Sequence, residues 1–193
     1  MRASGISAGA QMIFARWFGG GPDADLSRTV YERIVAQARQ PAFYAGHGVP
    51  DTPDGRFEML ALHLFLVLHR LKREQGDPAA AMLAQELTDR MMADMDANLR
   101  EMGAGDLGIG RQVKRLASGL YGRIAAYEAG LDRGEAALRR TVRDVVFAAA
   151  APTDGQVVRM TRYIVAGRDR LASRPAAELT RGMIEFPAPE DAT

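Results

Sequence analysis

The stretch MMADMDANLREMGAGDLGIGRQVKRLASGLYGRIAAYEAGL, Met91 to Leu131, decides the fold. Within it, Gly103-Ala104-Gly105-Asp106-Leu107-Gly108 matches the dinucleotide pattern G-x-G-x-x-G letter for letter. That pattern holds a pyrophosphate only where a strand leads in and a helix leads out, so that free backbone N–H groups meet the phosphates. Here the lead-in is helical. Leu83, Leu87, Met91, Met95 and Leu99 recur every fourth residue, Met102 follows, and no β-branched apolar run precedes the glycines. Gly103 therefore reads as the left-handed stop of one helix and Asp106 as the N-cap of the next. Gly103, Gly105, Asp106 and Gly108 make a structural corner between helices.

Outward from that corner the helical pattern continues in both directions. Downstream, Val113, Leu116, Leu120, Ile124, Tyr127 and Leu131 fall at spacings of three and four. Asp77-Pro78 supplies an N-cap and a first-turn proline for a helix running to Met102. Before it, a helix started by Thr52 or Asp54 and running through Glu74 carries Leu60, Leu62, Leu64, Phe65, Leu66, Val67 and Leu68, and so is apolar nearly all round. Such a helix is buried in the centre of a domain or against a partner. A further helix covers about Leu26 to Arg39, with Val30, Ile34, Val35 and Ala38 on one face and Asp25 or Ser27 as cap. Beyond the corner helix, one covers Glu135 to Ala149. Another is capped by Asp154 and runs to about Leu171, and a short one lies between Pro175 and Gly182. No alternating strand pattern and no repeat appears. The expected architecture is all-α: a single compact bundle of six to seven helices with one long loop, residues 40–54, pinned by Phe43 and Tyr44. Residues 1–24 read as a flexible N-terminal segment, 25–183 as the helical domain and 184–193 as a polar tail.

Composition removes several kinds of chemistry. With 193 residues and 47% apolar content the chain can bury a substantial core. It has no cysteine, which excludes disulfides, thiolate metal sites and cysteine nucleophiles. The longest apolar run, Met59 to Leu68, is ten residues broken by His63, whereas a membrane span needs about 20. The net charge is +1, but it is unevenly spread. Asp77 to Asp106 holds seven acidic and two basic residues, and Leu107 to Arg181 holds fourteen basic and seven acidic. Gln11 to Phe18 lacks the core and cleavage site of a signal peptide; Phe14, Trp17 and Phe18 beside Arg16 suit a membrane interface, with a free tail the plainer reading.

No constellation of side chains supports catalysis. His63 and His69 lie six residues apart, hence about 120° apart around a helix, and cannot share one metal. No H-E-x-x-H or E-x-x-H pattern occurs. The histidines, His47 included, read as structural or surface groups. Asp94 and Asp96 lie on a charged helix face where Asp96 and Arg100 suit an i,i+4 ion pair. Met82, Met91, Met92, Met95 and Met102 share one helix, with Met59 in the one before. Methionine suits adaptable apolar surfaces, though plain core filling is the simpler account. Met91 and Met92 are about 100° apart, so one of them should be the more exposed.

MDANLREMGAGDLGIG, followed by VK, YGR and AAY, together with DTPDGRFEMLALHLFLVLHRLK from Asp51 to Lys72, resembles the ubiquinol–cytochrome c chaperone family over roughly Leu26 to Ala172. The resemblance implies a non-enzymatic assembly factor for the cytochrome bc1 complex (respiratory complex III) whose client is newly made cytochrome b. It implies no cofactor, no metal, no DNA and no small-molecule substrate. A membrane surface and the ribosome are open as further contacts, and the expected place is the cytoplasmic side of the inner membrane, peripherally attached. Asp96, Asn98, Arg100, Lys114, Tyr121 and Arg123 are the candidate partner-binding residues it points to, and Met92 joins them from the methionine spacing. The alternative is a helical carrier for a lipid, quinone or haem, which would need an enclosed apolar pocket.

Overall fold

The all-round apolar helix predicted from the sequence is the axis about which the rest is arranged. A computed structural model describes residues 22–101 and 106–192, with the side chains of 25–98, 100 and 118–191. Six longer helices run α1 (Pro22–Ala38), α3 (Pro53–Leu71), α4 (Pro78–Glu101), α5 (Asp106–Asp132), α6 (Glu135–Val145) and α7 (Asp154–Ala172). Two single-turn helices, α2 (Pro41–Ala45) and α8 (Ala176–Leu179), and a closing 3-10 turn (Pro189–Ala192) complete the described residues, among which there is no strand. The fold is all-α, as the periodicity requires. None of the described helices is long and apolar enough to cross a membrane.

Helix α3 buries Met59, Leu62, His63, Leu64, Phe65, Leu66 and Val67, residues that point in every direction around its axis. It packs on α1, α4, α5 and α7. Around it α1 lies on α4, α4 on α5, α5 on α6 and α6 on α7. Each outer helix turns one stripe inward: Val30, Ile34 and Ala38 from α1; Leu83, Leu87 and Met91 from α4; Leu120 and Tyr127 from α5. The G-x-G-x-x-G segment is entered by α4 and left by α5, so the strand that nucleotide binding needs is missing. Asp106 and Gly108 fall in the first turn of α5, while Gly103 and Gly105 lie outside the described residues.

The helix ends follow local chemistry, with some corrections to the expected boundaries. Thr52 Oγ1 caps α3 by accepting from the Gly55 N–H at 3.1 Å. A Cβ on Gly55 would lie 2.0 Å from the Pro50 carbonyl oxygen, so the chain can fold over this turn only where no side chain exists. Asp77 Oδ1 accepts from the Ala79 N–H at 2.9 Å at the start of α4. Helix α7 is capped by Thr153, not Asp154: Thr153 and Gln156 form a reciprocal capping box. Helix α1 begins at Pro22, so neither Asp25 nor Ser27 caps it; buried Ser27 instead accepts from Arg90 Nε of α4 at 2.8 Å. Helix α6 stops at Val145, short of Ala149, because the Phe147 N–H reaches back five residues to the Val142 carbonyl and swings its ring into the core. The long loop contains α2, whose Phe43 is fully buried and whose Tyr44 hydroxyl donates to the Ala38 carbonyl at 2.8 Å.

The segment from residue 184 onward reads as polar but is not loose. Ile184 and Pro189 are buried, and Phe186 packs against the core. It crosses the seam between α7 and α1, where Gln37 Nε2 of α1 donates both to the Tyr163 hydroxyl at 2.9 Å and to the Pro187 carbonyl at 3.0 Å.

Candidate functional site

One carboxylate sits on α3 where the helix is otherwise apolar. Glu58 is buried at the α3–α5 contact and receives a two-point ion pair from Arg123, whose Nε donates to Glu58 Oε2 at 2.6 Å while Nη2 donates to Oε1. Arg123 folds back along its own helix, and Nη1 donates to the Gly119 carbonyl at 3.0 Å. A Cβ on residue 119 would stand 2.9 Å from that nitrogen, so glycine gives the guanidinium its lane. The same guanidinium lies 4.9 Å from the Phe57 ring centroid, a cation–π contact. The Glu58 hydrogen bond holds the Arg123 charge firmly, raising its pKa against the opposing pull of burial. Beneath, Tyr127 stacks on Phe65 with centroids 5.1 Å apart, and its buried hydroxyl has no hydrogen-bond partner. Burial is the main reason that hydroxyl's pKa is raised.

Above the pair opens a cleft of about 470 Å3 lined by Pro50, Asp54, Phe57, Val145, Ala148 and Ala149 among others. Ala148 to Ala151 form an exposed apolar lip beside it. The arrangement offers an apolar wall, a delocalised cation and an open mouth. Among the described residues no cluster of histidine and carboxylate groups could hold a metal ion.

The sequence-derived candidates do not gather at one place. Met92, Asp96 and Arg100 form one stripe of α4 at four-residue spacing, and Arg100 Nε donates to Asp96 Oδ2 at 2.8 Å as expected. Asn98 lies off that stripe and donates to the Asp94 carbonyl at 2.7 Å. Tyr121 is 61% exposed. Two residues along a helix is about 200° of rotation, so Tyr121 faces away from Arg123. Lys114 has its side chain outside the described residues. Met59 and Met91 fill the core, Met92 and Met95 are half-buried, and Met82 is exposed. Reasoning from sequence missed Glu58, although one carboxylate inside a nearly apolar helix was a visible signal.

The histidines are structural. His63 is fully buried; its Nδ1–H donates to the Met59 carbonyl at 2.7 Å and its Nε2 accepts from the Tyr163 hydroxyl at 2.7 Å. Desolvation lowers its pKa to about 4. His47 is buried and donates from Nε2 to the Pro189 carbonyl at 2.9 Å. His69 is half-buried against Phe65.

Fold and site together define a helical protein with an open apolar cleft over a buried ion pair. The family model of the ubiquinol–cytochrome c chaperones matches residues 45–186. The chain belongs to that family. A crystal structure described as that of the Cbp3 homologue from Brucella abortus is similar to it, with 37% identity and a TM-score of 0.79 over 94% of this chain and 98% of that one. No curated protein sequence matches.

Proposed function

We propose that this protein is a non-enzymatic chaperone that holds newly made cytochrome b during assembly of the cytochrome bc1 complex, with the Phe57–Arg123 cleft as part of its holding surface. Membership of the chaperone family carries the role. The cleft supports the place: Phe57, Val145, Ala148 and Ala149 offer apolar surface to a client helix, and the N–H groups of Arg123 not used on Glu58 and Gly119 can meet a polar helix end or loop. Each 100 Å2 of apolar client surface covered contributes roughly 2.5 kcal/mol of gross stabilisation. An open mouth fits a long client that must enter and leave, and fits an enclosed small-molecule carrier poorly.

A photocrosslinking residue at Ala148 tests the place, with Tyr121 and Met92 as further positions. Adducts with cytochrome b from Ala148 are expected in cells assembling the complex. Adducts from none of the three positions would refute the holding role. A clean gene deletion should lower assembled bc1 complex while leaving the cytochrome b transcript unchanged.

A further inference from the structure

The last described stretch of chain is held the way a protein holds a foreign peptide. Residues 184–188, Ile-Glu-Phe-Pro-Ala, run without helix or strand across the α1–α7 seam and enter the closing 3-10 turn at Pro189. Their carbonyls are received by side chains of other elements. Arg33 donates to Ile184 O at 3.5 Å, Gln37 to Pro187 O at 3.0 Å and His47 to Pro189 O at 2.9 Å. The prolines have no N–H to leave unsatisfied. Phe186 meets His63 edge-on at 5.1 Å, over a wall that also contains Phe43 and Tyr163. Aromatic-walled grooves that read carbonyls of a proline-bearing extended segment are an established mode of peptide recognition. The rim matches the occupant in charge. Glu185 pairs with both Arg170 (2.8 Å) and Arg174, and Arg159 and Glu190 flank His47.

Two features make this more than a docked terminus. The floor of the groove is tied together independently of its occupant: Gln37 donates to Tyr163, Tyr163 to His63 and His63 to Met59, a relay linking α1, α7 and α3. The strap is held by its apolar side chains and by the carbonyl bonds it accepts, and little by its charges or its own amides. Its ion pairs are half-exposed and contribute little in water. Over residues 185–189 it donates no backbone hydrogen bond to any helix among the described residues.

We propose that residues 184–191 are a displaceable strap, and that the groove beneath binds an extended acidic segment of a partner protein bearing a phenylalanine followed by prolines. The tethered strap competes at an effective concentration in the mM range, so it sets a threshold that a partner must exceed. This site is separate from the Phe57–Arg123 cleft and does not depend on what that cleft holds.

The test titrates a fluorescent peptide of sequence GMIEFPAPED, residues 182–191, onto the full chain and its variants. The wild-type chain should bind weakly. Full-length Phe186→Ala, which removes the strap's aromatic anchor, should bind the peptide at least ~10-fold more tightly, and raised salt should weaken that binding. Should Phe186→Ala not fold, Glu185→Lys turns the strap's two ion pairs with Arg170 and Arg174 into like-charge contacts and should give a smaller gain in the same direction. Equal affinity of wild type and folded variant overturns the proposal. So does native-state hydrogen exchange in which amides 184–191 open only with global unfolding.

Discussion

Glu58 is a charge placed where, among the described residues, one counter-ion meets it, and that fixes what the loss of that counter-ion should do. Its carboxylate is buried and Arg123 is the cation bonded to it. Arg123→Ala leaves that carboxylate buried and unpaired, at a cost of about 3 kcal/mol. Glu58→Leu combined with Arg123→Met removes both charges and should recover most of the loss, because apolar replacement of a whole buried pair is often neutral. Urea midpoints of the two variants check this; a double variant less stable than the single one contradicts it. His63 is the complementary case of a group held neutral. Its folded pKa of about 4 lies below the ordinary 6.5, so between those values the unfolded chain binds more protons than the native one. Its contribution is fully present above pH 6.5, falls as the pH drops and is lost by about pH 4. From pH 7 to pH 5 this one residue should remove about 2 kcal/mol. Denaturation at the two pH values should show that loss in wild type, and clearly less of it in His63→Gln. An unchanged pH dependence in the variant would point to His47 and His69, whose pKa values burial also lowers.

Elements were legible where one residue type has one physical use. Pro78 behind Asp77 and the four-residue recurrence of Leu83, Leu87 and Met91 fixed a helix that the structure keeps. What stayed hidden depends on contacts distant in sequence. The cap of α7 is an exception that was local and overlooked: Gln156 stands three residues after Thr153, the capping-box spacing, whereas only Val157 stands three after Asp154. Nothing local showed that Ile184, Phe186 and Pro189 of an acidic stretch would find a groove made in part by side chains over a hundred residues earlier. Of the candidate site, α4 and α5 were legible as charged helices. The facing of Arg123 inward and Tyr121 outward was latent in their 200° separation, yet the inward partner, Glu58, lies 65 residues away. The α3 start gives an element-scale prediction. Gly55→Ala pushes a methyl into the Pro50 carbonyl, backbone against backbone, and should cost more than 2 kcal/mol. Thr52→Ala removes only the cap and should cost about 1 kcal/mol. Thermal melts of the two variants should fall in that order, and the reverse order would mean that the loop yields easily.

For the whole molecule the question is whether holding and folding can be separated, because any destabilised chaperone also loses activity through lower abundance. The geometry supplies a pair of variants that should separate them. Arg70 is buried and ties the end of α7 to α3: its Nε donates to the Leu171 carbonyl at 3.1 Å and Nη2 to the Arg174 carbonyl at 3.0 Å, while Nη1 pairs with Glu74. Arg70→Ala strips both carbonyls of a donor and empties a packed site, at a cost of about 2–4 kcal/mol. Ala148 and Ala149 are exposed on the lip of the cleft and carry no such bonds beyond their backbone. Ala148→Asp with Ala149→Asp should leave the melting temperature within about 2 °C, since exposed substitutions away from special features shift stability little. A pair of carboxylates there opposes an apolar client by desolvation and draws on the Arg123 charge. Arg70→Ala is therefore expected to lower assembled bc1 complex in proportion to its own cellular level. The double aspartate variant is expected to lower it at unchanged level, with the Ala148-side crosslinks lost. If the aspartate pair is present at wild-type level and supports full assembly, the client is held elsewhere on the bundle, and the exposed Tyr121 face of α5 becomes the surface to mutate next.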